Sequence, residues 1–447
     1  MPRRITVACT VLLASGLVIA FGSEKLAEPS KPTDEMAAVK WLDAAFPSLE
    51  QLYHHLHAHP ELSFQEKETA ARLAAELRKI GCAVTEGVGK TGVVGLLKNG
   101  DGPVVMVRTD MDALPVTEAT GLAYASKVTT KDADGNTVGV MHACGHDMHM
   151  TCLIGAARLL AEFRDRWRGT VMFVCQPAEE GRGGALSMLK DGLFERFPKP
   201  NHALALHCDA ALATGHVGCT PGYILANVDS VDITVRGRGG HGSQPNTAVD
   251  PIVTAAKLIL DLQTIVSREK SPTDPGVVTV GSIHGGTKHN IIPDEVKLQL
   301  TVRSYSAETR KLLLDSIENK ALAAAASSRA PRPTITHTEG TPATFNNLDL
   351  AERASGVLRN LLGPEKVSRP EPRMGGEDFS EYGRAGVPIT MFWLGTTPPA
   401  KIEAAKNGQP LPSLHSSLYF PDPEPSVKTG VRAMSALVLD LLDSSSK

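Results

Sequence analysis

The chain has 447 residues, enough for two or three domains around a large core. Its 42% hydrophobic and 21% charged content is that of a soluble globular protein. A formal net charge of −3 and 4% aromatic residues remove the electrostatic and stacking grounds for a nucleic-acid or anionic-membrane partner, leaving a globular enzyme or binding protein.

The N-terminus departs from this composition. Arg3 and Arg4 precede Ile5–Gly22, an uncharged, mostly apolar run in which Ala20 and Gly22 supply small residues at the −3 and −1 positions of a cleavage site. Residues 1–22 read as a secretory signal peptide, with an uncleaved membrane anchor as the rival because the run approaches spanning length. Either reading exports the body of the protein, to the periplasm or outside the cell. Residues 23–37, rich in Pro, Ser and charge, read as a linker. Of seven cysteines, Cys9 lies in the signal, and Cys82, Cys144, Cys152, Cys175, Cys208 and Cys219 form no dense framework, with room for one or two disulfides.

From about Ala38 the patterning is helical, including Glu66–Ile80, stopped by Gly81. Buried-type strands are expected at Val93–Leu97, Val104–Val107, Thr170–Cys175 and Ala203–Leu206, with helices at Met150–Phe163 and Gly184–Lys190. This alternation predicts an α/β fold with a mainly parallel sheet. Residues 227–338 then read as an inserted α+β module of order β-α-β-β-α-β: Ser230–Val235, Pro251–Arg268, Val277–Ile283, Val296–Tyr305, Ala307–Ala325 and Thr334–Thr338. Residues 38–226 and 339–447 are therefore two parts of one catalytic domain, the second carrying a helix at Ala351–Leu362, a strand at Ile389–Leu394 and a closing helix at Val427–Leu442.

In a parallel sheet, ligands bind beyond the C-terminal ends of the strands. Val104–Val107 runs into Arg108-Thr109-Asp110-Met111-Asp112, Thr170–Cys175 into Gln176-Pro177-Ala178-Glu179-Glu180, and Ala203–Leu206 into His207. The stretch Met141-His142-Ala143-Cys144-Gly145-His146-Asp147-Met148-His149 precedes a helix, and a loop after Ile389–Leu394 leads to His415. Convergence of so many carboxylates and imidazoles on one edge points to a metal site. Cys144 and His146, two apart around Gly145, reach one centre only from a loop. Asp147 is expected to cap the next helix, with His142, His149, Met148 and Met150 as packing or supporting residues. A helix across His142, His146 and His149 is the alternative, opposed by Gly145. Cys–His–carboxylate sets suit Zn²⁺ or another borderline divalent ion. In the Glu179-Glu180 pair, one carboxylate can bind the ion while its neighbour takes a proton from water that the ion acidifies.

These residues resemble the M20 metallopeptidase and amidohydrolase family, in the subgroup of hippurate hydrolases, N-acyl-amino-acid amidohydrolases and plant auxin-conjugate hydrolases. The carrying motifs are HPELSFQE (His59–Glu66), RTDMDALP (Arg108–Pro115), MHACGHDMH (Met141–His149), QPAEEGRGGA (Gln176–Ala185), ALH (Ala205–His207), GRGGHGSQP (Gly237–Pro245), HNIIP (His289–Pro293), MGGEDFS (Met374–Ser380) and LHSS (Leu414–Ser417). The resemblance implies two divalent metal ions (Zn, Mn, Co or Ni) held by Cys144, His146, Glu180, His207 and His415, with Cys144 bridging. It further implies Glu179 as general base, Asp112 as a supporting carboxylate and a lid and dimerisation role for the inserted module. His241 would stabilise the oxyanion, in some members from a partner subunit, and Asn290 and Arg303 would contact substrate. Gly375 and Gly376 are added as candidates for holding the substrate carboxylate. Met148 stands where the subgroup has Gly, Cys208 follows His207 without the nearby prolines, and Gly376 replaces a frequent Ser; none of these removes a ligand.

The expected function is an exported metal-dependent amidohydrolase acting on N-acyl or N-aroyl amino acids, with a small-peptide carboxypeptidase or dipeptidase as alternative. A non-catalytic exported binding protein is disfavoured by a base beside a ligand. A serine acyl-enzyme rests on two inexpensive S-x-x-K matches, at Ser187–Lys190 and Ser267–Lys270, with Lys428-Thr429-Gly430.

Overall fold

The computed structural model describes residues 32–131, 134–181 and 183–443. The expected signal segment and residues 23–31 of the expected linker lie outside them. Residues 32–37, assigned to the linker by composition, instead open helix α1 (Pro32–Ala58); a proline is well suited to a first helical position, where its missing N–H is not needed. Helix α2 (Lys67–Ile80) buries Leu73, Ala74 and Leu77 and stops at Gly81, whose left-handed conformation returns the chain toward the sheet.

The chain then lays down β1 (Ala83–Val88), β2 (Gly92–Asn99), β3 (Val104–Asp110), α3 (His146–Glu162), β4 (Gly169–Gln176), α4 (Gly184–Lys190), β5 (His202–Ala213) and the two-residue β6 (Val217–Gly218). A second group follows: β7 (Asn227–Arg236), α5 (Pro251–Thr264), β8 (Gly276–Gly285), β9 (Glu295–Ser304), α6 (Ala307–Ser327) and β10 (Thr334–Glu339). The chain returns through α7 (Leu348–Leu362), β11 (Val367–Ser368), β12 (Ile389–Thr397) and α8 (Pro423–Leu442).

The larger sheet has eight strands in the order β1-β2-β4-β3-β5-β12-β6-β11. Its centre, β4-β3-β5-β12, is parallel, and β1 and β2 add an antiparallel edge. Strand alternation divides two cores. Val105, Val107, Val171 and Phe173 face one side, with α1, α3 and α8, while Met106, Met172, Val174, Ala203 and Ala205 face the other, with Met188, Phe379 and Tyr382. Burial on both faces explains the near-continuous apolar runs in these strands.

The second group forms its own antiparallel sheet, β8-β9-β7-β10, in the β-α-β-β-α-β order read from the sequence. Val231, Ile233 and Val235 of β7 and Leu298, Leu300 and Val302 of β9 pack with Leu258 and Leu262 of α5 and Leu313 and Ile317 of α6. Asp250 caps α5 by accepting the Ile252 N–H at 2.8 Å. The α5 pattern expected to run to Arg268 does so with a change of winding: Ile265–Glu269 is a π turn. Among the described residues no helix is long and apolar enough to cross a membrane.

One polar contact fastens α1 to α3 through the core. His57 Nδ1 lies 2.6 Å from Asp147 Oδ2 and its Nε2 3.1 Å from Glu118 Oε1, with all three side chains essentially inaccessible. Burial alone would lower the His57 pKa, but the hydrogen bonds from Asp147 and Glu118 raise it from 6.5 to about 9. Because the folded value lies above the unfolded one, the proton stabilises the fold fully below pH 6.5, and this contribution is lost as pH rises through about 9. The stability advantage of wild type over His57→Gln, measured by urea denaturation of the metal-free protein, is expected to shrink across that window. An advantage that stays constant across it would contradict a charged His57.

Candidate active site

The site is built where β3, β4, β5 and β12 end, and buried carboxylates set its framework. Asp112, just beyond β3, accepts the Glu179 N–H on Oδ1 and the Glu180 N–H on Oδ2, each at 3.0 Å. Its Oδ2 also accepts the Ser63 hydroxyl at 2.6 Å, and its backbone oxygen lies 2.7 Å from His146 Nδ1. Asp112 is buried and does not line the cleft, so within the catalytic group it positions its neighbours rather than touching a substrate, as a supporting carboxylate would.

Beside it, the inaccessible Arg108 guanidinium holds Asp110 Oδ2 at 2.8 Å, Glu377 Oε1 at 2.8 Å, Asp378 Oδ1 at 3.1 Å and Gln176 Oε1 at 2.9 Å. One cation faces three carboxylates, leaving an excess of negative charge in a low-dielectric interior. Burial, then Glu377, Glu180 and Asp378, push the Glu179 carboxyl well above the usual range, with Arg108 pulling the other way. Burial, partly offset by Arg108 and reinforced by Glu377, raises Asp378 to about 8.

Gly145, at φ +81, precedes α3, and a Cβ there would meet Cys208 Sγ at 3.0 Å; this turn needs glycine. Helix α3 consequently begins at His146, four residues before the expected start, which excludes a helix spanning His142 to His149. Asp147 is the second helical residue rather than the cap, with Oδ1 accepting the Met148 N–H at 2.9 Å.

Five side chains converge at this edge. His415 Nε2 lies 3.3 Å and His207 Nε2 3.6 Å from Cys144 Sγ, and Glu180 Oε1 lies 3.4 Å from His415 Nε2 and 3.9 Å from His146 Nε2. His146 and His207 each engage a backbone oxygen through Nδ1, Asp112 O and Cys208 O, at 2.7 and 2.8 Å. That fixes the tautomer and turns each Nε2 inward, as metal-ligating imidazoles require. His146 Nε2 and Glu180 Oε1 are buried with no hydrogen-bond partner, an arrangement costly unless a cation satisfies them. Thiolate, imidazole and carboxylate donors together fit borderline divalent ions. Burial alone would lower His146, but Asp110 and Asp112 raise it to about 10; the field that holds a proton there equally attracts a metal ion.

His149 is close by but committed: Nδ1 lies 2.7 Å from Asp110 Oδ1, and Nε2 accepts the Cys208 N–H at 2.8 Å. It supports the site, and Cys208 is a buried thiol outside the cleft. His142 is buried with neither ring nitrogen partnered. His415 sits at φ +67, an unusual conformation for a non-glycine residue, with its N–H on Ala143 O.

A cleft of about 1090 Å³ opens over this cluster, with Cys144, Glu179, Glu180, His207 and His415 on its floor and Arg303, Gly375 and Gly376 on its wall. Arg303 Nε donates to Thr301 Oγ1 at 3.0 Å. Two expected residues are not brought in. His241 is exposed, on a short strand paired with Ile291–Ile292, and Asn290 lies beside it; neither lines the cleft of its own chain. Asp110, Glu377 and Asp378 were given no role by sequence reasoning; a lone Arg108 ending a buried strand was the available signal, since a buried guanidinium demands carboxylates.

The motifs of a serine acyl-enzyme are scattered. Ser187 donates to Gly89 O and Ser267 to Gln263 O, and Lys428 pairs with Asp43 and Glu424. The six described cysteines are buried free thiols, so the expected room for disulfides is not used.

A profile of Peptidase family M20/M25/M40 matches residues 106–413. The chain is 40% identical over 335 residues to the hippurate hydrolase of Campylobacter jejuni, covering 74% of this chain and 84% of that protein. It is 35% identical over 365 residues to an IAA-amino acid hydrolase of the ILR1-like group from Arabidopsis thaliana, covering 81% and 78%. In three dimensions it is similar to the Bacillus subtilis YXEP protein, a dinuclear metal binding peptidase from the M20 family, with TM-score 0.74, 30% identity and coverage of 90% and 99%.

Removing Arg108 strands three buried carboxylates. Arg108→Met is expected to cost about 3–5 kcal/mol of unfolding free energy, read from the urea midpoint, and a cost below about 1 kcal/mol would show that the network does not depend on the guanidinium.

Proposed function

The chain belongs to peptidase family M20/M25/M40 and is a metal-dependent hydrolase of amide or peptide bonds, and on that premise we propose that it cleaves the amide of N-acyl or N-aroyl amino acids. The observation that carries this reading is Glu179: a buried carboxylate in the cleft, adjacent in sequence to Glu180 of the converging set, and without a hydrogen-bonded cation among the described residues.

Cys144, His146, Glu180, His207 and His415 would hold two divalent ions. When bound, such ions polarise the scissile carbonyl and lower the pKa of water toward neutrality. The raised carboxyl of Glu179 suits it to general-base work near neutral pH. It accepts a proton from the attacking water as the carbon–oxygen bond forms, then delivers it to the leaving nitrogen as the carbon–nitrogen bond breaks. Arg303, half-buried and held by Thr301, presents a guanidinium to the free carboxylate of the amino-acid half. The exposed backbone at Gly375 and Gly376 allows that carboxylate a close approach.

Because His241 lies outside its own cleft, it would reach an oxyanion only in the cleft of a second copy, making the module 227–338 a dimerisation surface as well as a lid. Residues 1–22 support export, with cleavage or anchoring decided by processing. A small-peptide carboxypeptidase or dipeptidase uses the same residues and differs only in what fills the acyl side.

The test is a panel of N-acyl amino acids and dipeptides, assayed after chelation and reloading with Zn²⁺, Mn²⁺, Co²⁺ or Ni²⁺. Chelation is expected to abolish hydrolysis and reloading to restore it, with N-acyl or N-aroyl amino acids turned over faster than dipeptides; the reverse preference favours the peptidase reading. Glu179→Ala should lower kcat by about 10²–10⁴-fold while two ions per chain remain. Loss of metal together with activity would make Glu179 a ligand, and a loaded wild type that binds these amides without hydrolysing them would make the protein a binder.

A further inference from the structure

Five non-glycine residues have positive φ among the described residues, and three of them gather around one carboxylate. Glu66 is fully buried, in the capping position of α2, yet its side chain makes no cap for its own helix. Its Oε1 instead accepts the N–H groups of Phe64 and Ala178, both at 2.9 Å, and its Oε2 accepts the Thr91 hydroxyl at 2.6 Å. Phe64 has φ +62, Ala178 φ +51, and Lys90, next to Thr91, φ +90. The Lys90 ammonium lies 3.8 Å over the Phe64 ring, and Phe64, Lys90 and Glu179 all line the cleft. Left-handed backbone at residues with a Cβ persists only where surroundings over-determine it, and such residues cluster at functional sites.

We infer that Glu66 is a positioning residue for the reaction, holding the left-handed Ala178 so that Glu179 keeps its aim into the cleft. This rests on the reading of Glu179 as the base. Three successive amides, those of Ala178, Glu179 and Glu180, are held by two buried carboxylates, Glu66 for the first and Asp112 for the other two. Asp112 fixes the amides of the functional residues themselves. Glu66 holds the bend that delivers them from its amide side: among the described residues it is the acceptor of the buried Ala178 N–H, while the Ala178 carbonyl accepts the Gly184 N–H at 3.1 Å. Without it, rotation at Ala178 swings the Glu179 side chain, and misplacement by about 1 Å can cost about 10²-fold in rate.

The substitutions separate positioning from bulk structure. Glu66→Gln keeps an oxygen for both N–H groups and presents its amide to Thr91, so kcat should stay within about threefold of wild type. Glu66→Ala should lower kcat by about 10²-fold, with KM within about twofold and two ions per chain. Thr91→Val removes only the contact to Oε2 and should leave kcat near wild type. Adding Ala178→Gly to Glu66→Ala should recover part of kcat, since glycine adopts positive φ without the steric cost. Hydrogen exchange of the peptide Gln176–Gly181 in the metal-loaded protein is a readout independent of turnover: faster in Glu66→Ala, unchanged in Glu66→Gln. If wild type hydrolyses none of the amides, the functional reading fails while exchange still decides the role of Glu66. A Glu66→Ala protein with wild-type kcat and exchange overturns the inference. So does a loss of kcat that merely follows loss of metal, or a loss in Thr91→Val equal to that in Glu66→Ala.

Discussion

The bidentate grip of Asp112 on the amides of Glu179 and Glu180 is the contact on which the site depends. One carboxylate sets the direction of two adjacent side chains with different tasks, and through its own backbone oxygen it also orients His146. Adjacent residues in an irregular segment would otherwise sample several arrangements, and each hydrogen bond to an ionised acceptor restricts them more firmly than a neutral one. The parallel strands β3 and β4 lie side by side, so the residue beyond one strand end meets the residues beyond the other without a long loop. The sheet thus supplies the distance and Asp112 the orientation.

Charge imbalance is the second constraint. Arg108 offsets only part of the charge of Asp110, Glu377 and Asp378, and Glu179 and Glu180 add to the same region. An interior of this sign is unstable by itself but favourable for cations, and it raises the proton affinity of Glu179. The same excess that raises the base therefore recruits the ions. His149 and His57, each paired with a carboxylate beneath α3, extend the network away from the cleft without competing for metal.

Much of this was legible in the residues. The alternation of apolar runs predicts the strands because the central ones are buried on both faces, and the polar residues after each run mark the edge where a parallel sheet collects ligands. Cys144, His146, Glu180, His207 and His415 all arrive there, and the order of the inserted module is as read. The start of α3 was misplaced because Gly145 supplies a left-handed turn immediately before His146, so the helix takes in polar residues that composition assigns to a loop. His241, expected at the oxyanion and in some members from a partner subunit, lies outside the cleft of its own chain, and no local pattern specifies whose cleft a residue on a separate sheet will meet. Glu66 and Glu377 were visible as letters within motifs, yet their roles lie in contacts 112 and 269 residues away in sequence, which neither periodicity nor spacing encodes.

The central claim is that His146 Nε2 and Glu180 Oε1, buried without a hydrogen bond, together with Cys144, His207 and His415, are ligands of two ions. Anomalous diffraction from crystals of the protein loaded with Zn²⁺ or Mn²⁺ tests it most directly. Two peaks near Cys144 Sγ, one among Cys144, His146 and His207 and the other among Cys144, Glu180 and His415, are the expected result. A single peak, or density centred on Asp110 and His149, would contradict it.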